Sequence, residues 1–123
     1  MAEHLHLPLF LLALSLLFVH ELDAVRCREW RIFPLTAFLD DTTGMRVFIL
    51  AHIPLFAIIL YYVSRSIGAG GDGFSLGMSI FCVAHAFVHW AYERHPKCEF
   101  RNPLSRGIIW SCAGAGLAAA IAY

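Results

Sequence analysis

Charge is scarce in this chain, and what there is cancels: 15% of its 123 residues are Asp, Glu, Lys or Arg, nine acidic against nine basic. A nucleic-acid partner needs a basic face, so the lack of net charge gives no reason to expect one. Disulfide motifs are missing too. Cys27, Cys82, Cys98 and Cys112 contain no Cys-x-x-Cys, and they fall inside expected helices or beside an expected cytoplasmic surface, which points to reduced thiols. The first apolar run has no basic stretch before it and no small-residue cleavage site after it, so it reads as a retained helix, not a secretory leader. The glycine-rich segment Gly68-Ala69-Gly70-Gly71-Asp72-Gly73 lacks the Lys-Ser/Thr ending of a phosphate loop and is expected to be a turn. No internal repeat stands out.

Apolar residues are abundant. They make up 59% of the chain and give a mean hydropathy of +0.67, too high for a domain whose charged faces must meet water. Four stretches approach the roughly 20 residues a helix needs to cross about 30 Å of hydrocarbon. They run at about Leu5 to Val25, Val47 to Val63, Phe74 to Tyr92 and Gly107 to Tyr123. The expected architecture is all-α: one integral membrane domain over residues 1–123, a bundle of four transmembrane helices with a short interfacial helix between the first and second.

The basic residues set the orientation. Arg26, Arg28, Arg31 and Arg46 flank the first connection, and Arg94, Lys97, Arg101 and Arg106 flank the third, whereas the second holds Arg65 alone. The first and third connections are therefore expected on the cytoplasmic side of a plasma or inner membrane, with both termini extracytoplasmic. In the first connection, Arg26, Arg28, Glu29 and Arg31 interleave with Val25, Trp30, Ile32 and Phe33, which suits a short helix in the headgroup region, ended by Pro34. Asp40 to Gly44 then offers caps for the second span. Trp30, Trp90 and Trp110, with Tyr61, Tyr62 and Tyr92, are expected as interfacial anchors. Gly114 with Ala118, and Gly116 with Ala120, carry the four-residue spacing that lets membrane helices approach closely. Pro54 is expected to kink the second span or to be a tolerated irregularity.

Several ionisable residues sit where a spanning helix should be apolar: His20, Glu21 and Asp23, then His52, then His85 and His89. On insertion scales such residues cost roughly 2.5 kcal/mol or more each, which makes them functional candidates. The orientation gives them a common depth. His20 to Asp23 end the first span at the cytoplasmic side, His52 lies about 9 Å inside from Arg46, and His89 and His85 lie about 6 and 12 Å inside from Glu93. His85 and His89 share a face, with Cys82 one turn deeper, and His20 and Asp23 are three apart. The expected metal ligands are His20, Asp23, His52, His85 and His89, with Glu21, about 100° round from His20, as a catalytic proton carrier. The competing explanations are ordinary ones: an isolated intramembrane His commonly bonds a carbonyl, and a His-Glu-Leu-Asp run beside arginines can simply be a helix end meeting water. His4, His6 and His95 are expected to be solvated, and Cys82 to be a packing residue.

His20-Glu21-Leu22-Asp23, followed by Arg28-Glu29-Trp30, His52 and His85-x-x-x-His89, resembles the small four-helix integral membrane proteins with an HXXEE-type pattern. That resemblance covers most of the chain and implies a membrane metalloenzyme, of hydrolase type, with the His and acidic motifs as ligands. The chain departs from the pattern at Asp23-Ala24, where two glutamates are expected.

The leading expectation is a divalent transition metal (Zn, Fe or Mn) serving hydrolysis of a lipid-like substrate at the cytoplasmic leaflet, with membrane lipid as the surrounding partner. Arg101, Asn102 and Arg106 offer themselves to an anionic head group, although positive-inside flanking explains these arginines equally well. Two alternatives stay open: a haem-binding electron carrier using His52 with His85 or His89, and a non-enzymatic subunit whose polar residues are interhelical glue.

Overall fold

The computed structural model describes residues 3–123, with side chains from Leu5 onward, so the side chain of His4 lies outside the described residues. The described chain is all-helical: α1 (Glu3–Arg26), a single 3-10 turn (Glu29–Arg31), α2 (Asp41–Ala69), α3 (Gly73–Tyr92) and α4 (Pro103–Ile121). All four α-helices are long and apolar enough to cross a bilayer, and the chain is a membrane protein. The second helix exceeds its expected span at both ends. Its 29 residues extend about 44 Å, more than the hydrocarbon needs.

Local sequence explains each boundary. Asp40 caps α2 by accepting from the Thr43 amide at 3.0 Å. Gly70 closes the helix in the left-handed region at φ 75°, and the Gly71 amide bonds back to the Ser66 carbonyl at 2.8 Å. Asp72 and Ser75 form a capping box at the start of α3. Asn102 caps α4, with Pro103 in its first turn, where a missing amide hydrogen costs nothing.

α1 packs along α4, and α3 packs against both. The small-residue register of α4 is narrower than its sequence suggests. Cys112, Ala113, Gly116 and Ala119 are buried, whereas Gly114 is exposed. A side chain at Gly116 would meet the Ser79 carbonyl oxygen at 2.6 Å and the Cys82 Cβ at 2.8 Å, so here the glycine sets the α3–α4 separation. All four cysteines are buried and free.

Two further expectations are corrected. His6 is not solvated but 2% exposed: its Nδ1 donates to the Ala119 carbonyl at 2.8 Å, and its Nε2 accepts from the Ser75 hydroxyl at 2.7 Å. Burial between three helix ends makes those partners obligatory. Trp30 is not an interfacial anchor. It is buried and donates its indole N–H to Asp41 at 2.9 Å, while Trp90 and Trp110 are exposed.

α2 stands apart from the other three helices. Gly44 and Phe48 are buried near its start, and Ile59, Val63 and Ser66 near its end, but nothing between Phe48 and Ile59 is. That gap faces α3 and forms the wall of a cavity.

Candidate metal and substrate site

The end of α1 sends three polar side chains to three different neighbours. Successive helix positions are about 100° apart, so His20, Glu21 and Asp23 cannot share one direction. His20 turns to α3. Its ring lies edge-on to both histidines there, with centroids 4.8 Å from His85 and 4.6 Å from His89. His85 and His89, one turn apart, are 4.6 Å between centroids, with their Nε2 atoms 3.2 Å apart.

Ligand atoms of His20, His85 and His89 all lie within 4.8 Å of one another. Three imidazole nitrogens around one ion, at metal–nitrogen distances of about 2.0–2.1 Å, would stand about 3.3 Å apart. The His85–His89 pair is already at that spacing, and His20 lies within 4.8 Å of both. Aromatic rings fix the cluster from outside: Phe81 stacks on His85 at 5.3 Å, and Phe100 packs on His89 at 4.7 Å and on His20 at 5.6 Å. His20 is 1% exposed and His89 6%. Among the described residues, neither ring nitrogen of His20 and not Nδ1 of His89 finds a hydrogen-bond partner. Unpartnered buried donors and acceptors are rare because each forfeits its hydration, so a set of them on converging rings calls for a ligand.

Glu21 turns to α2. Its Oε2 accepts from His52 Nε2 at 2.8 Å, and His52 Nδ1 lies 2.6 Å from the Phe48 carbonyl oxygen. Both nitrogens of His52 are thereby engaged, which removes it from the imidazole cluster and leaves neither free for a haem iron.

Asp23 turns to α4. Oδ1 accepts from Arg26 Nε at 2.7 Å, and Oδ2 accepts from the Ser105 hydroxyl at 2.5 Å and faces the Cys27 thiol. The structure therefore brings together His20, His85 and His89 but not Asp23 or His52. Asp23, three residues on from His20, is displaced by about 60° of arc, and that is enough to reach a different helix.

One carboxylate that sequence reasoning passed over does approach one member of the cluster, His20. Glu29 Oε2 is 3.8 Å from His20 Nε2, is buried and has no hydrogen-bond partner among the described residues. Burial raises its carboxyl to about 8, and the nearby charge of Glu21 adds to the rise. Its one sequence signal is that no other acid occurs between Asp23 and Asp40.

Glu21, Glu29, His52, His85 and His89 line a cavity of about 700 Å3 whose other walls are mostly apolar side chains. Ala51 and Leu55 of α2 and Phe81, Ala84 and Val88 of α3 line it, together with Phe33, Pro34 and Leu35 of the first connection. Leu55, Phe81 and Val88 are each about half exposed, so the cleft between α2 and α3 opens sideways along spanning helices. The other expected polar group is occupied. Arg106 pairs with Glu93 at 2.9 Å, Arg101 donates to the His95 carbonyl, and the Asn102 side chain caps α4.

The model of one protein family matches residues 7–123, nearly the whole chain. The chain belongs to DUF6713, a family of unknown function. No HXXEE-type family is matched alongside DUF6713. No curated protein and no solved structure matches this DUF6713 chain.

Proposed function

We propose that this DUF6713 protein is a metal-dependent integral membrane enzyme that hydrolyses a lipid-like substrate at the cytoplasmic leaflet. One observation carries the reading: three converging imidazoles, of which His20 and His89 are buried with unpartnered nitrogens, and of which His85 and His89 line a largely apolar cleft between α2 and α3. Neutral imidazoles suit zinc, iron or manganese. The bound ion would lower the pKa of a water toward neutrality and polarise the substrate carbonyl.

His20, His85 and His89 would hold the ion, and Glu21 at the cavity wall would act as the proton carrier, accepting a proton from the attacking water and returning it to the leaving alkoxide. His52 holds the Glu21 carboxylate toward the cavity through the 2.8 Å bond. Leu55, Phe81 and Val88 receive the apolar part of the substrate from the side, a route that spares an acyl chain any passage through water. The excess of Arg and Lys in the first and third connections supports placing this end at the cytoplasmic face. The HXXEE-type resemblance supports the same chemistry.

Elemental analysis of detergent-purified protein tests the site. Wild type should carry near-stoichiometric zinc, iron or manganese and show no haem Soret band, whereas His20→Ala and His85→Ala should carry little metal. A metal-free wild type, or full metal in both variants, overturns the reading. Hydrolysis of a fluorogenic acyl ester in lipid vesicles should stop on chelation and return with added metal.

A further inference from the structure

The geometry points to Glu29 as a fourth metal ligand, supplied by the first connection to the His20, His85 and His89 cluster. This rests on the metal reading above and deepens it. Two buried, unpartnered atoms face each other here, Glu29 Oε2 and His20 Nε2, at 3.8 Å. The separation is too long for a hydrogen bond between them. It is close to the distance of about 3.4 Å between an imidazole nitrogen and a carboxylate oxygen that bind the same ion. A buried carboxylate is tolerated when it is paired or coordinates a metal, and among the described residues no other partner is offered to Oε2.

The backbone is built to deliver this side chain. Arg28 stands in the left-handed region at φ 52° and ψ 47°, the one non-glycine residue there among those described. A side chain with a Cβ adopts that conformation only when its surroundings require it. The reversal drops the chain from the end of α1 into the 3-10 turn, which is pinned directly after Glu29. Trp30 donates to Asp41, Arg31 makes two bonds to the same carboxylate at 2.7 and 2.8 Å, and the Thr36 hydroxyl donates to the Trp30 carbonyl at 2.9 Å. Held by the residues that follow it, Glu29 lines the cavity, and its Oε2 rests on no other group among the described residues.

A fourth protein ligand also narrows the ion. Zinc held by three imidazoles and a carboxylate has its usual four positions filled, whereas iron or manganese, with six, keeps two for water and substrate carbonyl. The full site is thus three histidines and Glu29 around Fe2+ or Mn2+. The connection between the first two helices becomes part of the metal centre.

Manganese titration of chelator-stripped full-length protein in detergent tests this, read by the electron paramagnetic resonance of free and bound Mn2+. Glu29→Gln keeps the shape of the side chain and should bind Mn2+ at least about 10-fold more weakly than wild type, with an altered bound-ion spectrum. Glu29→Asp, which keeps the carboxylate, should fall between them. Circular dichroism of each variant should match wild type. If Glu29→Gln binds like wild type while His85→Ala loses binding, Glu29 is no ligand and the histidine site stands. If wild type itself binds no metal, the site reading fails with it.

Discussion

His52 Nε2 stands 2.8 Å from Glu21 Oε2 and joins the middle of α2 to the end of α1. The contact takes both residues out of competition for the imidazole cluster and gives Glu21 an orienting partner at the cavity wall. His52→Ala and Glu21→Gln should therefore keep wild-type metal content while losing about 10²- to 10⁴-fold in turnover of a vesicle-borne acyl ester, the usual worth of a positioned acid–base group. Loss of metal in His52→Ala would return that residue to the ligand set.

Asp23 belongs to a different task. Its carboxylate joins Arg26 on its own helix to Ser105 on α4, in a buried position. Asp23→Ala should leave metal content unchanged and destabilise the protein by about 1–3 kcal/mol, because the buried Ser105 hydroxyl loses the carboxylate that accepts its proton. Thermal unfolding in detergent, paired with elemental analysis, checks both halves.

Two glycines of α4 should respond in opposite ways. Gly116→Ala forces a Cβ against the Ser79 carbonyl and Cys82 and should cost about 1–3 kcal/mol. Gly114→Ala meets nothing within 4 Å and should be neutral, or stabilising by up to about 1 kcal/mol through helix propensity. Unfolding temperatures of the two variants separate them directly.

At the opposite end of the bundle, Asp72 accepts from the Ser66 hydroxyl and the Ser75 amide, which hold its carboxyl below the usual aspartate value. A lowered folded-state pKa means that the ionised form is the stabilising one. Its contribution is complete above the unfolded value near 3.8 and is lost as the pH falls through the lower folded value. Unfolding temperature measured against pH should show this acid loss in wild type and show it reduced in Asp72→Asn.

Much of the fold was legible in advance, since apolar runs of spanning length and the capping run that begins at Asp40 act locally, whereas Asn102, expected at a head group, caps α4 instead. The histidines were legible as a group because charged and polar residues in such runs are costly, and the helix rise fixes their depth. The partners of those residues were not. His6 looked like a terminal, solvated residue and is buried because α3 and α4 end beside it. Glu29 looked like one charge among arginines, and only the left-handed turn at Arg28 aims it inward.

The sequence by itself determined four apolar helices and the angular order of His20, Glu21 and Asp23 around α1, because periodicity is a property of a few consecutive residues. The tertiary structure alone decided that α3 stands opposite His20, α2 opposite Glu21 and α4 opposite Asp23. That assignment comes from which backbones can approach, as at Gly116 against Ser79, and from the gap left where α2 does not close. Helical spacing sets the direction of a side chain; packing between distant segments sets what it meets.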